Sequence, residues 1–137
     1  MPEDGFLSRR LDRGALPLAV GDVLAILVVL SIGASSHHET AFLLENPLYL
    51  AGIYAPFLIG WAIAAPPIGA YSPGAVESAK ASVPLAIRSW VPAALIGVGL
   101  RWVGLFHGGA EPVFVLVMVV TGSVAIGVWR AVYFRVR

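Results

Sequence analysis

Residues 16–33 read LPLAVGDVLAILVVLSIG, an apolar run of 18 residues that contains one carboxylate, Asp22. An α-helix rises about 1.5 Å per residue, so the run spans about 27 Å, close to the roughly 30 Å hydrocarbon core of a bilayer. We therefore predict a membrane-spanning helix here. A charged side chain inside such a helix costs a few kcal/mol, so Asp22 needs a partner, water or a route to the surface.

The composition supports the same fold class. The chain has 137 residues, of which 58% are hydrophobic and only 12% are charged, whereas soluble domains carry roughly 25% charged residues. A water-soluble domain of this size could not bury so much apolar surface. The net charge of +1 comes without a basic face, so no nucleic acid is expected as a partner. The chain has no cysteine, which excludes disulfides and thiolate chemistry.

Three more apolar segments follow the first one. A capping Asn46 and a first-turn Pro47 mark the start of the second segment, and Pro66-Pro67 predicts its end because proline lacks the N–H donor that a helix needs. The sequence thus predicts an all-α integral membrane bundle of four transmembrane helices, with spans at about 16–33, 47–65, 83–102 and 112–132.

Four spans place both ends of the chain on one side of the membrane. Residues 1–15 and 133–137 are predicted as polar tails on that side, which carries most of the basic residues, whereas the opposite turns carry only Arg101. The positive-inside bias predicts a multi-pass protein of the cell membrane with both tails in the cytoplasm. A twin-arginine export signal around Arg9-Arg10 is an alternative, but Asp22 and the three later segments favour a retained helix.

Two clusters of ionisable residues are predicted at different depths. The cytoplasmic-side cluster contains Asp22, Arg88 and Arg130, and Asp22 is expected to share a helix face with Ile26 and Gly33. Asp22 is predicted to form a structural ion pair with Arg88 or Arg130, to bind a proton or cation in a hydrated path, or to reach the surface. These three alternatives remain open at this point.

The outer cluster lies about 20 Å from Arg88 along the third span. Histidine with carboxylate can bind zinc or sense pH, but adjacent histidines on a helix point about 100° apart. We therefore expect ordinary polar contacts here, with no metal and no cofactor. The residues of this cluster are His37, His38, Arg101, His107 and Glu111.

The sequence contains no phosphate-binding glycine loop, nucleophile elbow or metalloprotease motif, so catalysis has no positive support. Three functions stay open: a small transporter or channel component for an ion, proton or small solute, which would use Asp22; a structural or assembly subunit; and a membrane enzyme using His37, His107 and Glu111. The expected partners are the lipid bilayer and either further copies of the chain or another membrane protein, because four helices alone offer little interior.

Several motifs carry a resemblance to a known family: Asp22, Gly33 and His37, followed by PFLIGW at 56–61, GVGLR at 97–101 and GVWR at 127–130. In order and spacing they resemble the domain-of-unknown-function family 3054, small membrane proteins of haloarchaea and actinobacteria. The resemblance implies a four-helix membrane protein without a known activity. It also implies that Asp22, His37, Arg101 and Arg130 occupy family positions. The family pattern has basic residues after the glycine, where this chain has Ala34 and Ser35.

Overall fold

The computed structural model describes residues 8–137, and in this part of the chain the regular structure is entirely helical. Two short 3-10 turns accompany the helices, at Arg13–Ala15 and Pro73–Val76. The predicted all-α fold class is confirmed. The α-helices are α1 (Leu16–His37), α2 (Thr40–Glu45), α3 (Pro47–Ile68), α4 (Ala79–Trp102) and α5 (Pro112–Val136).

Four of these helices are long and apolar enough to cross a membrane. Counting the turn that precedes α1, they contain 22 to 25 residues, and their most apolar windows have mean hydropathies between 1.6 and 2.4. The short α2, of 6 residues, connects α1 to α3 and cannot span a bilayer. The chain is thus a membrane protein with four candidate spans.

The long helices form a ring in which α4 packs against α3 and α5, and α1 closes the ring against the same two helices. The helices α3 and α4 approach closely at Gly60 of α3, where an added methyl group would overlap the backbone carbonyl of Ala93 in α4. Small residues at such crossings let membrane helices approach closely. Large side chains fill the space between these contacts, among them Ile26, Phe57, Trp61 and Trp90.

The buried face of α1 differs from the predicted one beyond Ile26. Its buried positions are spaced four residues apart, so the face turns by about 40° per step around the helix. Gly33, predicted on the face of Asp22, is exposed, and no atom would lie within 4 Å of a methyl group there. The buried residues are Leu18, Asp22, Ile26, Leu30 and Ala34.

The helix α3 continues through the two prolines that were predicted to end it. Pro66 and Pro67 each remove only one donor, and the last turn closes after them: Gly69 N–H donates to the Pro66 carbonyl (3.2 Å) and Ala70 N–H to the Ala65 carbonyl (3.0 Å). Gly69 has a φ of 103°, the left-handed conformation that commonly ends a helix. The structure therefore ends this helix at Ile68.

The predicted tails are partly folded. The helix α5 extends to Val136, so residues 133–136 belong to it. On the N-terminal side, Asp12 N–H donates to the Tyr71 carbonyl over 2.7 Å, and Ala15 is 2% exposed. Residues 1–7, the remainder of the predicted N-terminal tail, lie outside the described part of the chain.

The bundle has two ends, which we name after the charged residues nearest to them. The Asp22 end holds residues 8–15, the α3–α4 connection and the last turns of α5. The Arg101 end holds α2 and the α4–α5 connection.

Candidate functional site

The centre of the Asp22 end is an ion pair between α1 and α5. Arg130 donates from Nη2 to Asp22 Oδ2 over 2.6 Å and from Nε to Oδ1 over 3.1 Å. Both side chains are 0% exposed. Two parallel bonds between a guanidinium and a carboxylate fix orientation as well as distance, and charged partners make such bonds stronger than neutral ones. Asp22 therefore aligns the start of α1 with the end of α5.

The third nitrogen of Arg130 ties the pair to the other two helices. Its Nη1 lies 3.0 Å from the Ala70 carbonyl, 3.0 Å from Ser82 Oγ and 3.3 Å from the Ser82 carbonyl. Ala70 follows the end of α3, and Ser82 lies in the first turn of α4. One arginine side chain thus joins all four long helices at this end.

Tyr71 covers the remaining side of the carboxylate. Its hydroxyl donates to Asp22 Oδ2 over 2.8 Å and accepts a 2.7 Å hydrogen bond from Trp61 Nε1. Burial, and then the adjacent charge of Asp22, raise the pKa of Tyr71 above its ordinary value. The phenol therefore keeps its proton and remains a donor to the carboxylate.

The described part of the chain encloses the carboxylate of Asp22. Asp22 accepts three hydrogen bonds, and its side chain has no exposed surface. An open groove of about 620 Å³ between α1 and α5 is lined by aliphatic side chains and Trp129, and Asp22 is not among them. Binding a cation or a substrate at Asp22 would require breaking bonds that the protein already makes. The geometry is that of a buried ion pair with two hydrogen bonds.

Arg88 does not join this pair, although the sequence analysis placed it in the same cluster. The buried face of α4 includes Ala86, Ser89 and Trp90, whereas Arg88 is exposed on the opposite side of the helix. The rise of the helix gives the depth of a residue along the axis. The direction of its side chain, inward or outward, depends on which face of the helix the neighbouring helices cover.

At the Arg101 end, two of the predicted residues meet at Tyr49. The Tyr49 hydroxyl and His38 Nε2 share a 3.3 Å hydrogen bond, and the His107 ring stacks on the Tyr49 ring with centroids 4.0 Å apart. His107 Nε2 also donates to the Tyr49 carbonyl over 3.0 Å. Phe42 of α2 packs against both His38 and Tyr49. These rings hold α2 and the α4–α5 connection against the start of α3.

The other predicted residues of the outer cluster are not gathered there. His37 and Glu111 are exposed, and no hydrogen bond or ion pair joins either side chain to another residue within the described chain. Arg101 lies over the Phe114 ring, with its Cζ 4.2 Å from the ring centroid. Within residues 8–137, no three His, Asp or Glu side chains are arranged to hold a metal ion. His37, His107 and Glu111 thus lack the mutual contacts that the enzyme hypothesis requires.

A family described as Protein of unknown function (DUF3054) matches residues 19–133. The chain belongs to the DUF3054 family. The match runs from α1 to α5 and includes Asp22, His37, Arg101 and Arg130, so the resemblance drawn from the motifs is confirmed. Neither the curated proteins nor the solved structures contain a match to this DUF3054 chain.

Three residues of the site in this DUF3054 protein were missed by sequence reasoning. Trp61 was noted only as part of the PFLIGW motif, and Tyr71 lies in a connection rich in glycine and proline. An aromatic residue between such small residues is the signal that could have indicated packing onto the bundle. Ser82 gives no such signal, because serine at the start of a helix is common.

Proposed function

We propose that this DUF3054 protein is a non-catalytic assembly subunit of a membrane complex, and that it binds a partner helix through the outward face of α4. The observation that carries the proposal is the position of Arg88. This cation lies in a membrane-spanning helix and is exposed, and within the described residues no hydrogen bond or ion pair reaches it.

The surroundings of Arg88 are apolar. Val91 and Leu95 follow it on the same face of α4, and they are 36% and 52% exposed. Arg88 lies nine residues after Ala79, or about 13 Å along the helix axis. This distance exceeds the length of an arginine side chain, so snorkelling alone does not bring the guanidinium to the end of the helix. A counter-charge from a partner helix would stabilise the guanidinium at this position.

A second copy of the chain is a poor source of that counter-charge. Among the four spans, Asp22 is the one acidic residue, and its carboxylate is used by Arg130 and Tyr71. Glu77 precedes α4 and lies more than two helical turns from the level of Arg88. We therefore propose that the partner is a different membrane protein whose spanning helix carries an Asp or Glu at the depth of Arg88.

The transporter hypothesis has less support. It requires water to reach Asp22, and that carboxylate is enclosed by the side chains of α1, α5 and the α3–α4 connection. The same enclosure supports an assembly role, because it closes the interior of the bundle and leaves Arg88, which has no partner among the described residues, facing outward.

We further propose that the Asp22 end faces the cytoplasm of a cell membrane. Basic residues concentrated at this end, including Lys80, Arg135 and Arg137, support this orientation. The chain has no native cysteine, so a single introduced thiol reports one position. A membrane-impermeant maleimide added to intact cells should label Gly109→Cys and leave Glu77→Cys unlabelled until the cells are opened. Labelling of Glu77→Cys in intact cells would show that the orientation is opposite to the proposed one.

The partner proposal is tested by photo-crosslinking in native membranes. A benzophenone amino acid replaces Val91 beside Arg88, and Val28 on the exposed face of α1 is the matched control position. We expect an adduct with a different membrane protein from position 91 only. Arg88→Gln should reduce this adduct at least fivefold, whereas Lys80→Gln, which removes an exposed cation on the same helix, should leave it unchanged.

The identity of the adduct decides the outcome. Changing one intramembrane Asp or Glu of the captured protein to its amide should reduce the adduct as much as Arg88→Gln does. An adduct only with lipid, an adduct only with a second copy of the chain, or equal capture by the Arg88→Gln variant would each overturn the proposal.

A further inference from the structure

Another cation without an acceptor in the described chain lies at the Arg101 end. Arg101 is in the last turn of α4, and its Nε is buried without a hydrogen-bond acceptor. No hydrogen bond or ion pair connects the rest of its guanidinium to another residue in the described chain. Guanidinium nitrogens that are removed from water normally have acceptors, and an unpaired one is a position where a water molecule or an ion can bind.

Aromatic rings and a glycine shape the space around this guanidinium. Its Cζ lies 4.2 Å from the Phe114 centroid and 5.9 Å from the Phe57 centroid. Gly108 lies against the guanidinium so closely that a methyl group there would overlap Nε, Nη2 and Cζ. Gly108 has a φ of 112°, a conformation that favours glycine. The ring and the glycine thus lie against the guanidinium, and its buried Nε has no acceptor within the described chain.

The neighbouring charges add to the need for an anion. Phe114 belongs to the first turn of α5, where the N-terminal end of the helix dipole is positive. Glu111, the residue before α5, makes no side-chain capping bond and no ion pair with Arg101. His107 uses its Nε2 as a donor to the Tyr49 carbonyl, so that nitrogen is not an acceptor for Arg101. Within the described residues, none of these groups supplies an acceptor to Arg101.

We infer that Arg101 binds a phosphate group at this end of the bundle, as a phospholipid headgroup or as free phosphate. A guanidinium presents two parallel donors that match two oxygens of a phosphate, and stacking on an aromatic ring is compatible with this binding mode. The depth is also suitable, because Arg101 and the exposed Trp102 end the spanning helix α4, where arginine and tryptophan meet headgroups.

The free-phosphate form of the site is tested on the full chain in a non-phosphate detergent. Thermal unfolding is followed by tryptophan fluorescence while inorganic phosphate is added, with sodium chloride of equal ionic strength as the control titration. A ligand that binds the folded state raises the apparent melting temperature with concentration. We expect Arg101→Gln to weaken phosphate binding at least tenfold, Arg101→Lys to weaken it less, and Lys80→Gln to bind within twofold of the original chain.

The lipid form is tested by native mass spectrometry of protein taken from phosphatidylglycerol and phosphatidylcholine membranes. A retained phospholipid that is present in the original chain and in Lys80→Gln, but lost in Arg101→Gln, identifies the headgroup as the source. A saturable effect of free phosphate that depends on Arg101 identifies the soluble ion. If neither phosphate binding nor phospholipid retention depends on Arg101, the inference is wrong.

A further measurement uses the unaltered chain, so its result does not depend on whether a variant folds correctly. Phenylglyoxal modifies arginine side chains, and the modified positions are identified by peptide mass spectrometry. We expect phosphate or the retained lipid to slow modification of Arg101 at least fivefold and to leave the exposed Arg88 unchanged. Equal modification rates at Arg101 with and without both ligands would overturn the inference.

Discussion

Asp22 and Arg130 are 108 residues apart in the sequence, and their side chains meet through two hydrogen bonds of 2.6 Å and 3.1 Å. The contact joins the first membrane-spanning helix to the last. Because Arg130 also bonds to Ala70 and Ser82, the loss of this contact would affect all four long helices.

Removing one charge of the pair should destabilise the bundle strongly. Asp22→Asn leaves Arg130 buried without its counter-charge, and breaking a buried pair in this way typically costs about 3–5 kcal/mol. We expect a loss of this size in the free energy of unfolding, measured by SDS titration in mixed micelles.

The double variant Asp22→Leu/Arg130→Met is the control for this prediction. It removes both charges and keeps apolar volume, so it should be more stable than Asp22→Asn. A double variant less stable than the single one would contradict the description of the site as an ion pair whose charges need each other.

The hydroxyl of Tyr71 should contribute a pH-dependent stabilisation. Tyr71→Phe removes a hydrogen bond to a charged acceptor, for which about 1.5–3 kcal/mol is typical. Because the folded-state pKa of Tyr71 is raised above its ordinary value of about 10, the unfolded chain loses this proton first as pH rises. The original chain should therefore exceed Tyr71→Phe in unfolding free energy by a constant amount below about pH 9, and this difference should shrink above about pH 10.

The measurement for Tyr71 is the difference in unfolding free energy between the two proteins from pH 7 to pH 11. The difference removes the contributions of the other tyrosines, since both proteins contain them. A difference that stays constant up to pH 11 would show that the phenol does not keep its proton in the folded state.

The close crossing of α3 and α4 should tolerate no additional side-chain atom. In Gly60→Ala the new methyl group would overlap the Ala93 carbonyl, and overpacking of this kind typically costs about 1–3 kcal/mol. Gly33→Ala is the matched control, because position 33 is helical and has open space around it. Alanine there should be neutral or stabilising by up to about 1 kcal/mol. Equal effects of the two substitutions on thermal unfolding would contradict the packing described for Gly60.

Ser82 should contribute less than the ion pair. Ser82→Ala removes the Oγ acceptor of Arg130 Nη1 but leaves the Ala70 and Ser82 carbonyls in place. We expect a loss of about 1 kcal/mol in the free energy of unfolding. A loss as large as that of Asp22→Asn would mean that the carbonyls do not satisfy the guanidinium.

Hydropathy predicted the four spans because a bilayer requires long apolar helices, in which the backbone N–H and C=O groups form hydrogen bonds with each other. The helix ends were less predictable. Helical hydrogen bonds continue past the apolar stretch, so α1 reaches His37 and α5 reaches Val136 beyond the predicted ends. The prediction that Pro66 and Pro67 end the second span was wrong. Near the end of a helix, the N–H donor that a proline lacks removes few hydrogen bonds.

The site was predictable only in part, for a geometric reason. The cost of a buried charge singled out Asp22, and its need for a partner gave Arg88 and Arg130 as candidates. The choice between these arginines depends on which side of each helix points into the bundle. The spacing of residues along one helix does not give that orientation. Tyr71 was missed because its role depends on how the α3–α4 connection folds back over Asp22.

Cysteine accessibility at Ser82 shows whether water reaches the Asp22 site. Ser82 is 0% exposed and contacts Arg130, serine and cysteine are close in shape, and the chain has no other thiol. A small charged methanethiosulfonate reagent should label Lys80→Cys rapidly and should label Ser82→Cys at least 100-fold more slowly in the folded protein. Labelling of Ser82→Cys at a rate similar to Lys80→Cys would show that water reaches the pair, which would contradict the structural role and favour a transport path through Asp22.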